Sequence, residues 1–169
     1  MAENKQGTVA RLLRVSHVLE DSFLIALLGT MIFLAVTQII LRNFFGSGLQ
    51  WIDPLLRLLV LWVGMAGAMV ASRKDHHISI DVFTRSMPIP AQLAVQVFTN
   101  IFTCLVAAII AYHAGRLVLM DREAESIAFA AIPSWVCELI LPLAFGVIAL
   151  RYLIFAVTHV RQLLAIQES

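Results

Sequence analysis

The stretch Ser22–Leu41, SFLIALLGTMIFLAVTQIIL, runs for 20 residues without a charge. At 1.5 Å per residue a helix of that length covers about 30 Å, the thickness of a bilayer's hydrocarbon core. It is too long for the apolar part of a cleaved signal peptide, and no small-residue cleavage site follows it. Residues 22–42 are therefore expected to cross a membrane.

Three more stretches of the same character follow. The second spans about 54–72. Asp53-Pro54 reads as its start, because an Asp can cap free N–H groups and a Pro suits the first helical position. Arg57 lies four residues after Asp53, where it can pair with it or extend toward the interface. Arg73 and Lys74 close this span. The third spans about 90–115 and is uncharged from Pro90 to Gly115. The fourth spans about 133–157, with one acid, Glu138, and one internal proline, Pro142, where a kink is expected. No two-residue alternation competes with these helices.

Whole-chain composition agrees. The 169 residues are 60% hydrophobic and 14% charged, against roughly 45–50% and 25% in soluble domains. The mean hydropathy is +0.89. A soluble enzyme and a secreted disulfide scaffold are excluded. With 12 basic and 11 acidic residues there is no cationic excess to neutralise phosphates, so nucleic acid is not an expected partner. Cys104 and Cys137 sit inside apolar runs and read as small core residues. The expectation is one all-α membrane domain over 1–169, with four transmembrane helices and no internal repeat.

The basic residues orient it. Lys5, Arg11, Arg14, Arg73, Lys74, Arg85, Arg151 and Arg161 make 8 on the side of the termini, against 4 on the other, Arg42, Arg57, Arg116 and Arg122. Excess Lys and Arg mark the cytoplasmic side, so both termini are expected there. Residues 1–21 form an N-terminal segment containing TVARLLRVSHVLED, and residues 78–88 read ISIDVFTRSMP. Both are amphipathic enough to lie in the membrane plane. Each can instead extend a neighbouring span.

Polar groups at depth are costly and mark function where they occur. Here they are few and near the span ends: Arg57, His113 and Glu138. Glu138 reads as the partner of a nearby base, with His113, Arg116 and Arg57 at similar depth; a proton-carrying role is the alternative. Haem ligation needs two facing histidines, and only His113 lies within a span. Adjacent His76 and His77 point to different sides, which disfavours a zinc site. No hydrolase or phosphate-loop motif is present. The chain reads as a non-enzyme, with no cofactor or metal expected.

Two stripes invite packing. Gln92, Gln96, Thr99, Asn100 and Thr103, continued by Ala107 and Ala111, share one face of the third span. Gly64 and Ala68, and Gly67 and Ala71, form small-xxx-small pairs in the second. These faces suit either packing within the chain or docking to another subunit. Association surfaces without chemistry suggest an accessory subunit.

Residues 42–88 resemble the small membrane subunit of tripartite ATP-independent periplasmic (TRAP) transporters. The ordered set is Arg42-Asn43, Trp51-x-Asp53-x-x-x-Arg57, Trp62, Gly67-Ala68, Arg73-Lys74, His77-Ile78-x-x-Asp81 and Met87-Pro88; Ile132-Pro133-Ser134-Trp135 extends the likeness. Pro54 stands where many members carry a second acid, and Asp75 where glycine is common. The resemblance implies a bacterial inner-membrane protein that scaffolds a large, elevator-type membrane subunit. A periplasmic substrate-binding protein would deliver an organic acid such as sialic acid or a C4-dicarboxylate. Import would be driven by sodium, with the sodium sites in the large subunit. Under that reading Trp51 and Trp62 anchor or pack, Asp53 caps, and Arg57 pairs with Asp53 or the partner. Arg73 and Lys74 would meet anionic lipids, and His77 and Asp81 would hold the turn into the interfacial helix. The alternative is a self-contained four-helix transporter or proton-coupled exporter. That class needs an acid within the membrane, and the first span has none.

Overall fold

The computed structural model describes residues 2–46, 48–73, 89–129 and 132–167. In chain order the elements are α1 (Ala2–Phe45), α2 (Ile52–Ala71), α3 (Ile89–Glu123), a two-stranded antiparallel ribbon of β1 (Ile127–Phe129) and β2 (Ile132–Pro133), then α4 (Ser134–Glu138) and α5 (Ile140–Gln167). Four helical segments are long and apolar enough to cross a membrane: His17–Phe45, Ile52–Ala71, Ala91–Glu123 and Ser134–Leu164. The all-α membrane fold read from the four long apolar stretches is therefore the fold observed.

The helix ends differ in detail from the expectation. α1 is one helix of 44 residues, about 66 Å long, so the N-terminal segment runs into the first span without a break. α2 begins at Ile52, which puts Asp53 inside its first turn. α3 continues past Gly115 to Glu123. The fourth span breaks at Leu139, between α4 and α5. Pro142 explains the place: its missing N–H would have donated to the carbonyl of residue 138, and its ring crowds that carbonyl. The interfacial helix expected at 78–88 lies outside the described residues.

The chain divides into two compact units, Met1–Val70 with Ile127–Pro133, and Ala71–Ser126 with Ser134–Ser169. In the first, Gly46 ends α1 with φ +63°, the left-handed conformation that glycine adopts without steric cost. Ile52, Leu59 and Ala66, seven residues apart, are the buried positions of α2. Phe23 of α1 and Trp62 of α2 place their rings 6.3 Å apart, within the range of favourable aromatic pairs.

In the second unit, α3 and α5 pack along their lengths. Ala107 of α3 and Ala144, Ala149 and Ala156 of α5 are buried, and Ala144 is fully enclosed. Small side chains let two backbones approach closely, which supplies packing where lipid competes equally for apolar surface. The register is antiparallel. Asn100 meets His159 at one end, and Asp121 meets Glu138 at the other. The two contacts are 21 residues apart on each strand of the helical pair, about 32 Å along a helix axis.

α3 closes with a Schellman motif. The Ser126 N–H donates to the Asp121 carbonyl at 3.4 Å and the Glu125 N–H to the Arg122 carbonyl at 3.4 Å. Glu125 holds the left-handed position, φ 48°, usually taken by glycine. The bulky apolar residues of the spans are largely turned outward; Ile25 and Phe33 are each 70% exposed, as a lipid environment permits.

Two changes test this packing. Ala144→Leu inserts three carbons where no space exists and is expected to cost about 1–3 kcal/mol, read by unfolding in detergent. Glu125→Gly removes the left-handed penalty and is expected to stabilise by up to about 1 kcal/mol in the same assay.

Candidate functional site: a polar clasp and the exposed face of α2

The densest polar group in the first unit joins the end of α1 to the start of α2. Gln38 is 5% exposed. Its amide closes a reciprocal pair with the connecting loop: Nε2 donates to the Leu49 carbonyl at 3.3 Å, and Oε1 accepts from the Leu49 N–H at 3.3 Å. Nε2 also lies 3.3 Å from Asp53 Oδ1 as a donor. Arg42, one turn further along α1, donates from Nη2 to Asp53 Oδ2 at 3.1 Å. Gln38 and Arg42 share a helix face because they are four residues apart.

Gly48 makes room for this arrangement. A Cβ there would lie 2.8 Å from Gln38 Nε2 and 3.2 Å from Arg42 Cγ. The loop is then handed to α2 by the Ile52 N–H, which donates to the Leu49 carbonyl at 3.1 Å.

Asp53 therefore does not cap α2. It sits one position inside the helix, and its oxygens are taken by α1. It does not pair with Arg57 either. Arg57 is exposed and makes no hydrogen bond or ion pair among the described residues. Val60, Leu61 and Gly64 continue the exposed face that Arg57 begins, roughly opposite Ile52, Leu59 and Ala66. At Gly64 and Gly67 an added Cβ would meet nothing within 4 Å.

The remaining residues fall as follows. Trp51 is 44% exposed, and its carbonyl accepts from the Leu55 N–H at 3.3 Å. Trp62 is half-buried against Phe23. Arg73 is half-buried just beyond α2. Lys74, His77 and Asp81 lie outside the described residues.

In the second unit Asn100 is fully buried. Its Nδ2 lies 3.3 Å from His159 Nδ1, which is also 2.9 Å from the Phe155 carbonyl oxygen. Gln96 and Thr103 are half-buried on the same stripe, and the Thr99 hydroxyl donates to the Val95 carbonyl at 2.9 Å. At Asn100 and Ala107 the stripe is turned inward, where α3 packs on α5. Arg151 Nη1 donates to the Ser72 hydroxyl at 3.1 Å.

Glu138 is half-buried and meets Asp121, not a base. Its Oε2 is enclosed and accepts no hydrogen bond among the described residues. Pairing of Glu138 with His113 or Arg116 does not occur there.

Gln38, Gly48 and His159 escaped the reading of the sequence. Gln38 had a signal: it is the one amide in a span without a charge. Gly48 and His159 had none, since their roles depend on a neighbour in another helix.

Four apolar spans with polar contacts between helices make this a polytopic membrane protein. The family described as the DctQ component of tripartite ATP-independent periplasmic transporters matches residues 31–162. The chain belongs to that family. It is 33% identical over 132 residues to the sialic acid TRAP transporter permease protein SiaT of Haemophilus influenzae, covering 71% of this chain and 20% of that protein. It is 28% identical over 76 residues to a protein named as a TRAP transporter small permease protein, also of Haemophilus influenzae, covering 45% of this chain and 47% of that one. The chain thus spans a fifth of the first relative and about half of the second.

The clasp gives a ranking of substitutions. Arg42 and Asp53 have side chains 64% and 43% exposed, so their ion pair is worth at most about 1 kcal/mol. Gln38→Ala removes three part-buried hydrogen bonds and is expected to cost about 1–3 kcal/mol. Gln38→Ala should therefore lower the detergent unfolding midpoint more than Arg42→Ala does.

Proposed function

We propose that this chain is the fixed scaffold of a three-part importer in a bacterial inner membrane, with both termini cytoplasmic. Its partner is a large membrane subunit that moves substrate by an elevator-like motion and holds the sodium sites. A periplasmic binding protein delivers the substrate, an organic acid such as sialic acid, a C4-dicarboxylate or a similar carboxylate. The sodium gradient drives uptake.

One observation carries the reading. The DctQ component family matches residues 31–162, and by its description that family is a component of tripartite transporters. The disposition of polar groups supports the same view. The clasp, the Asn100–His159 contact and the Arg151–Ser72 contact each join one part of this chain to another, which is what a rigid support requires. The 8-to-4 bias of basic residues supports cytoplasmic termini, and four spans return the chain to the side on which it starts.

The test is affinity purification of the tagged chain from detergent-solubilised native membranes, followed by mass spectrometry. A stoichiometric multi-span partner several times larger than this chain is the expected result. The purified complex in vesicles, supplied with the binding protein, should take up radiolabelled sialic acid or succinate only under an inward sodium gradient. Recovery of this chain alone, with transport by it alone, would overturn the reading.

A further inference from the structure

We draw no further inference here: the strongest candidate, the side-chain cluster of Asp121 at the end of α3 and Glu138 at the end of α4, with its enclosed Glu138 Oε2, carries nothing, because it is an acidic pair in which Glu138 is only half-buried and no second feature among the described residues points to a ligand.

Discussion

Hydrocarbon offers the backbone no hydrogen-bonding partner, and the rest of this structure depends on that fact. Each N–H and C=O must be satisfied within its own segment, so the spans are helices. The same constraint acts on side chains. A polar group between helices must find another polar group, and the chain places such groups where two helices or a helix and a loop meet. Gln38 finds the Leu49 backbone and Asp53. Asn100 finds His159. Arg151 finds Ser72.

The two units solve the packing problem differently. In the first, α1 and α2 are joined by a short loop, and polar bonds at that loop hold their ends. Phe23 and Trp62 add an aromatic contact further along. In the second, α3 and α5 meet along a seam of alanines, with a polar contact near one end. Alanines bring backbones close but leave rotation and sliding weakly opposed. The Asn100–His159 contact opposes both, because it forms in only one register.

Glu138 shows how a residue can be recognised as unusual and still be misplaced. An acid inside an apolar span calls for a base, and bases at suitable depth exist in the sequence. Helix packing instead sets it against a second acid at the end of α3. Which depth-matched residue a side chain meets depends on the rotation of each helix about its axis, and spacing along one helix carries no information about the rotation of its neighbour.

The four long apolar stretches by themselves determined that this is a four-span helical membrane protein, because apolar length against bilayer thickness is a property of sequence alone. The order of Trp51, Asp53, Arg57, Trp62 and the residues after them was enough to point to the family. The tertiary structure decided the pairings. Asp53 is drawn to Arg42 and Gln38 rather than to Arg57, its neighbour one turn on, because α1 returns beside it through a tight loop opened by Gly46 and Gly48. The Asn100 stripe turned inward because α3 found α5. Those outcomes depend on which helix faces which, and such contacts between residues far apart in sequence exist only once the chain has folded.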